Sequence, residues 1–334
     1  MQRINILRAV FLLLIWTLAG GGCRGSFTSG PNSSNPVEGQ QFVMVYATAQ
    51  DTLNSLAATY LHDPASAWRI AAYNGIDTLT PGQRVIIPLI PLHQGGLQLS
   101  GYQMVPILLY TRLTKTSRKS GSISAEAFNQ QMRHLGRTGF QTISLDQLDD
   151  FLNLRGQIPA NATVITFDSA GRWVYEIAYP ILRRYGMTAA LFVPTDDIGR
   201  PGNLSWQQLA EMSAAGFDVG AYGRSAHSLT SFKAGEDVSA YLNRLEDEIS
   251  EPQKQKQVHL KKPCRYFAYP HGQSNDLIIA LLRKHGYRLA FSRKRGSNPF
   301  FVDDFKVRRS LVKPNFDIRQ FHQNLDSFHR MELR

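Results

Sequence analysis

The residues best placed to do chemistry close the run Val164-Ile165-Thr166-Phe167-Asp168-Ser169-Ala170-Gly171. A short apolar stretch ends in a carboxylate, and a glycine-containing turn follows. A helical pattern then runs from Trp173 to Tyr185, and Ala189 to Val193 reads as a second apolar strand. Strand, helix and strand at this spacing predict a βαβ unit and hence a parallel sheet. In barrel-like α/β folds, polar residues at the carboxyl ends of strands face the active-site mouth. Asp168 therefore stands where chemistry would be done, although the same carboxylate is equally suited to capping the helix that follows.

The run resembles the first motif of the polysaccharide deacetylases (carbohydrate esterase family 4), metal-dependent N-deacetylases of amino-sugar polymers. Their motif is Thr-Phe-Asp-Asp, in which the first Asp is the catalytic base and the second binds the metal. Here the residues are Asp168 and Ser169. The resemblance implies a divalent metal such as zinc that polarises the acetamide carbonyl and activates a water, which a carboxylate deprotonates. It also implies two His ligands, spaced His-(Ser/Thr)-x-x-His, on the loop after the third strand. That strand is Phe217 to Gly220, and alignment on Gly220 and Leu229 puts Tyr222 and Ala226 at the two positions. Ala226 has no donor atom, and a phenol is a poor neutral ligand for zinc. His227, one residue further on, reads as a solvated loop residue. With Ser169, Tyr222 and Ala226 at the ligand positions, no metal cofactor is expected.

The third motif is better kept. Arg265-Tyr266-Phe267-Ala268-Tyr269-Pro270-His271-Gly272 matches Arg-x-Phe-x-x-Pro-(Tyr/Phe)-Gly, with His271 at the usual aromatic position. The resemblance implies that Arg265 orients Asp168 and that the backbone after Pro270 helps hold an oxyanion. A buried ion pair kept only for stability gives the same pattern. A different cluster of Asp168, His227 and His271 is a further option, which nothing in the spacing supports.

The elements that must position these groups are legible around them. Val105 to Tyr110 predicts a strand, followed by Thr111 where many relatives have His. Ser124 to Thr138 predicts a helix with Phe128, Met132 and Leu135 on one face. Phe140 to Ile143 and Leu145 to Leu152 give a short strand and a helix. Beyond the third motif, Asp276 to His285 is a helix, and Leu289 to Phe291 and Val307 to Val312 are strands. The expected fold is an α/β, irregular (β/α) barrel of polysaccharide deacetylase type, short of eight strands, over residues 104–334.

Residues 41–89 form a separate unit. Phe42 to Tyr46 and Arg84 to Pro88 read as strands, and Leu53 to Leu61 and Pro64 to Tyr73 as helices. This βααβ order, with Asp51-Thr52-Leu53, Asn74-Gly75-Ile76 and Pro81-Gly82-Gln83 in place, resembles a LysM domain. That resemblance implies binding of N-acetylglucosamine-containing glycan, such as peptidoglycan or exopolysaccharide, through Asp51, Thr52, Leu53, Asn74, Gly75 and Ile76. In so small a unit the same residues also suit a purely structural role.

The remaining segments bear on location. Arg3 and Arg8 precede an apolar run from Ala9 to Ala19 that is short for a bilayer span, and Gly20-Gly21-Gly22-Cys23 follows. This resembles a bacterial lipoprotein signal with Cys23 as the lipidated residue, an ordinary secretory signal and an uncleaved anchor being the alternatives. Each reading places the chain in the cell envelope. The lipid-anchored form would sit in the membrane, on the outer-membrane or periplasmic side in a Gram-negative organism. Residues 24–40 read as a flexible tether and residues 90–103 as a linker. The 334 residues carry a formal net charge of +11, which suits an anionic envelope surface. An exported chain without a recognisable nucleic-acid module argues against nucleic acid as the partner. Only Cys23 and Cys264 occur, so no disulfide framework is expected. Three functions remain: a glycan-binding pseudoenzyme, an active amino-sugar N-deacetylase with an unorthodox site, or a purely structural role in which neither domain touches glycan.

Overall fold

The computed structural model describes residues 42–89, 94–98, 100–116 and 121–331. Cys23, the signal segment and the 24–40 tether lie outside the described residues. The first elements are β1 (Phe42–Tyr46), α1 (Leu53–Leu61), α2 (Ala67–Asn74) and β2 (Arg84–Pro88). β1 and β2 pair antiparallel, with Phe42 opposite Pro88 and Tyr46 opposite Arg84. Leu56, Ala57, Ile70, Val85 and Ile87 form the small core beneath them. Thr52 starts α1 through a reciprocal capping box with Ser55. Pro64–Ser66 is a 3₁₀ turn, so the second helix begins three residues later than the sequence suggests.

The larger part is built from β3 (Gly101–Tyr110), α3 (Ala125–Arg137), α4 (Leu145–Leu152), β4 (Ala162–Asp168), α5 (Tyr179–Arg184), β5 (Ala190–Val193), α6 (Trp206–Ala214), β6 (Asp218–Ala221), α7 (Val238–Leu260), β7 (Tyr266–Ala268), α8 (Asp276–Lys284), β8 (Leu289–Phe291), β9 (Ser297–Pro299), β10 (Ser310–Leu311), α9 (Ile318–His322) and β11 (Phe328–Arg330). Strands β3, β4, β5, β6, β7 and β8 lie side by side, each parallel to the next. Their near-continuous apolar sequences fit strands buried on both faces. Val307 bridges Phe291 at the far edge, and β10 pairs parallel with Leu108–Leu109 of β3, so the 307–311 segment reaches both ends of the curled sheet. The expected α/β architecture, a curled parallel sheet short of eight strands, is therefore the one observed. β9 and β11 add antiparallel pairs to β3.

Strand alternation decides which groups point into the barrel. Along β4, Val164 belongs to the inner cluster with Val105, Ile107, Phe192 and Phe291, whereas Ile165 and Phe167 pack outward with Leu108, Phe128, Met132 and Leu135. Thr166 and Asp168 continue the inner row. Gly220 on β6 leaves room for this core, because a Cβ there would stand 2.5 Å from the Phe192 ring.

Helix α7 covers one outer face and buries Lys256, whose Nζ donates to the Val193 carbonyl at 2.7 Å. Burial lowers the pKa of this ammonium from 10.5 to about 8. The native state thus sheds a proton that the unfolded chain keeps, and stability must rise with pH above 8. Burial also raises the pKa of the nearby Cys264 thiol, which opposes the trend above pH 9. Denaturation midpoints of wild type and Lys256→Met between pH 8 and 9 should therefore diverge, the wild type gaining up to about 1 kcal/mol per pH unit relative to the variant. Parallel slopes would place the titration elsewhere.

Candidate functional site

At the carboxyl end of β4 the Asp168 side chain is fully enclosed. Arg309 is equally enclosed and forks onto the carboxylate, with Nη1 to Oδ1 at 2.6 Å and Nη2 to Oδ2 at 2.9 Å. This bidentate geometry is the strong form of the carboxylate–guanidinium contact. Arg309 Nε donates to the Ser292 carbonyl, and the guanidinium lies over the rings of Phe192 and Phe291. A second cation, Arg293, follows β8 and reaches Asp168 Oδ2 at 3.5 Å. One carboxylate between two guanidinium groups leaves the cluster with a net charge of +1.

The expected pairing of Asp168 with Arg265 is therefore corrected. Arg265 is exposed at the entrance to β7, and its backbone carbonyl accepts from Arg288 N–H. It precedes the strand and stands at its amino end, opposite the carboxyl end of β4 where Asp168 lies. The signal for Arg309 was its position in Val307-Arg308-Arg309-Ser310-Leu311-Val312. A cation in an apolar strand needs a buried acid, but the sequence does not say which of the two arginines faces inward.

Ser169, Tyr222 and Ala226 share one cleft of ≈ 390 Å³ with Asp168, Arg112 and Trp173. Ser169 Oγ accepts the Gly171 N–H at 2.9 Å, a local turn that uses the hydroxyl. Tyr222 is buried, and its hydroxyl accepts from Arg293 Nη2 at 3.0 Å and from the His271 backbone N–H at 3.2 Å. Burial, followed by the nearby Asp168 charge, raises its pKa and keeps it a neutral phenol. Gly272 makes the approach of Arg293 feasible, since a Cβ there would lie 2.7 Å from the Arg293 Cβ.

Glu248 fixes the loop that carries Tyr222 and Ala226. This buried α7 carboxylate accepts the N–H groups of Arg224 (2.7 Å) and Ser225 (3.0 Å) and the Ser225 hydroxyl. Gly223 and Ala226 both take positive φ in the turn, 71° and 58°. His227 is exposed with Nδ1 on Ser225 Oγ, and the His271 side chain is exposed as well, so neither imidazole joins the enclosed Asp168. His271 contributes its backbone N–H.

A divalent metal does not fit these residues. The phenol oxygen already accepts two N–H bonds, Ala226 offers no donor, and a guanidinium stands beside the carboxylate. Among the described residues, no group of three His, Cys, Asp or Glu side chains converges as a metal site.

The parallel barrel, with an acidic residue closing its second strand, has known counterparts. Residues 155–290 match the polysaccharide deacetylase family model. The chain is 23% identical over 220 residues to a poly-beta-1,6-N-acetyl-D-glucosamine N-deacetylase of Staphylococcus aureus (strain MSSA476), covering 64% of this chain and 75% of that protein. Among solved structures, IcaB from Ammonifex degensii is 28% identical, with a TM-score of 0.57 over 67% of this chain and 97% of that one. The Streptococcus pyogenes deacetylase PplD, solved with acetate, has a TM-score of 0.61 at 20% identity, covering 67% and 98%.

In the small unit, the residues singled out for glycan binding are engaged with their own fold. Asp51 Oδ2 accepts from the Thr48 N–H and hydroxyl, both at 2.7 Å. Asn74 bonds the Ile70 carbonyl and both backbone groups of Ile86, tying α2 to β2. Gly75 closes α2 at φ 64°, and Ile76 N–H returns to Ala71 O. Leu53 packs against the core.

Proposed function

We propose that this protein is a cell-envelope glycan-binding lipoprotein in which the polysaccharide deacetylase site has lost its metal and its hydrolytic activity. The observation that carries this reading is the state of Tyr222. At a position where the family resemblance calls for a His ligand stands a neutral phenol, held by Arg293 and the His271 N–H. Without a metal to polarise the acetamide, the cleft is left with guanidinium groups, of which Arg309 and Arg293 are already held by Asp168 and Tyr222. Asp168, forked by Arg309, is then a structural anion rather than a base.

Residues 41–89 would act as a LysM domain that holds the protein on N-acetylglucosamine-containing polymer, and lipidated Cys23 would anchor it to the membrane. The partner polymer named for the Staphylococcus aureus relative supports an amino-sugar glycan as ligand. The test is metal analysis of the purified chain together with deacetylation of acetylated glucosamine oligomers. The expected result is sub-stoichiometric metal and background rates. Deacetylation abolished by Asp168→Asn would overturn the proposal and establish an active N-deacetylase.

Retention on insoluble peptidoglycan tests the small unit, at elevated salt to screen the high positive charge. Because Asn74 holds α2 to β2, Asn74→Ala should cost about 1–3 kcal/mol in stability and cannot report on binding alone. Thr52→Ala removes an exposed cap worth about 1 kcal/mol and is the better probe. A fall in retention at unchanged fold is expected. Retention that vanishes with salt and ignores Thr52 would make the unit a spacer.

A further inference from the structure

A second groove, larger than the Asp168 cleft, is lined by neighbours of the residues that hold Tyr222. Its volume is ≈ 1050 Å³. Arg293 and the His271 N–H face Tyr222, whereas the neighbouring Lys294 and Gln273 line this groove. The groove joins an aromatic platform to unpaired positive charge. Tyr102 and His329 are cross-strand partners on β3 and β11, with rings stacked at 4.9 Å, and Phe301 meets Tyr102 edge-on at 5.2 Å. Phe301 is nonetheless 60% exposed, an apolar ring held in place but open to solvent.

The charge is one-sided. Lys306 is matched by Asp303 at 3.5 Å, while the side chains of Lys294 and Arg308 have no acidic partner among the described residues. Gln273 Oε1 is occupied by the hydroxyls of Ser228 and Thr230, at 3.1 and 3.3 Å, which turns its amide nitrogen toward donation. Stacking surfaces beside free cations suit a pyranose ring that carries an anion. A neutral amino-sugar chain offers Lys294 and Arg308 hydroxyl and amide oxygens but no opposing charge.

We propose that this groove binds an acidic polysaccharide of the polyuronate class, with a sugar ring on Phe301 and carboxylates on Lys294 and Arg308. The site is separate from the Asp168 cleft and stands whether or not that cleft hydrolyses anything.

The experiment is calorimetric titration of the full chain in detergent, at physiological salt, with oligogalacturonate as probe. Neutral methyl-esterified oligogalacturonate and polyglutamate serve as controls. All three variant positions are solvent-accessible, so the substituted proteins should fold with unchanged melting temperature. Lys294→Ala with Arg308→Ala should weaken oligogalacturonate binding by about tenfold or more, the scale of losing 1.4 kcal/mol. Phe301→Ala should weaken it by about fivefold or more, the scale of a lost ring contact, and leave polyglutamate unaffected. The proposal is overturned if oligogalacturonate does not bind or if its neutral methyl ester binds as tightly. It is also overturned if polyglutamate matches oligogalacturonate and Phe301→Ala changes neither, which would reduce the groove to a nonspecific polyanion surface.

Discussion

Replacing Arg309 with Met should destabilise the protein by about 3–5 kcal/mol, because it strands the Asp168 carboxylate in the barrel with only Arg293 at 3.5 Å. The loss includes the bidentate contact, the bond to the Ser292 carbonyl and the packing on Phe192 and Phe291. Arg265→Met should fall within about 0.5 kcal/mol of wild type, as expected for an exposed side chain. The double variant Arg309→Met/Asp168→Leu should recover much of the loss, since removing both charges removes the desolvation cost of each. Denaturant midpoints read all three. Equal costs for Arg309→Met and Arg265→Met would mean that Arg309 is not what holds the Asp168 carboxylate.

That contrast also marks how far the sequence reaches. The apolar runs of β3, β4 and β5 and the Phe128-Met132-Leu135 stripe of α3 are legible, because burial on one or both faces dictates them. The capping Ser and Thr residues likewise announce α1, α3 and α4. Helix α7 is not legible: its 23 residues contain Pro252 and a run of Gln, Lys and Glu, and its buried face includes Glu248 and Lys256. Those two polar residues are buried for opposite reasons. Glu248 gathers the N–H groups of the Tyr222 loop, and Lys256 satisfies a carbonyl at the end of β5. Neither role leaves an apolar period. The short strands β9 and β11 are equally silent, since each exists only through its pairing with β3.

The candidate site divides in the same way. The motif spacing brings Asp168, Ser169, Tyr222 and Ala226 to one cleft, because a strand end and the loop of a nearby parallel strand converge there. The arginines that set its charge come from the segment after β8 and the residue before β10, more than a hundred residues away. Local pattern carries no information about partners at that separation.

The wild-type cleft should give no zinc-dependent gain in stability, and a rebuilt cleft should gain one. A true site stabilises the native state by about 4 kcal/mol at a metal concentration a thousandfold above its dissociation constant. The sequence alignment alone calls for Ser169→Asp, Tyr222→His and Ala226→His. The geometry adds a fourth change. Once Tyr222 is His, Arg293 loses its phenol partner and leaves a guanidinium facing the new ligand. Arg293→Ala removes that cation, and Arg309 still holds Asp168. His at position 226 must accept φ 58°, a left-handed conformation that His tolerates better than most residues. The fourfold variant should therefore bind zinc at least about tenfold tighter than the threefold variant, a difference of about 1.4 kcal/mol. Melting temperature against zinc concentration measures both, independently of any restored hydrolysis. A zinc-dependent shift in the wild type as large as in the fourfold variant would sink the pseudoenzyme reading. Equal affinity of the two variants would show that Arg293 does not set the charge of the cleft.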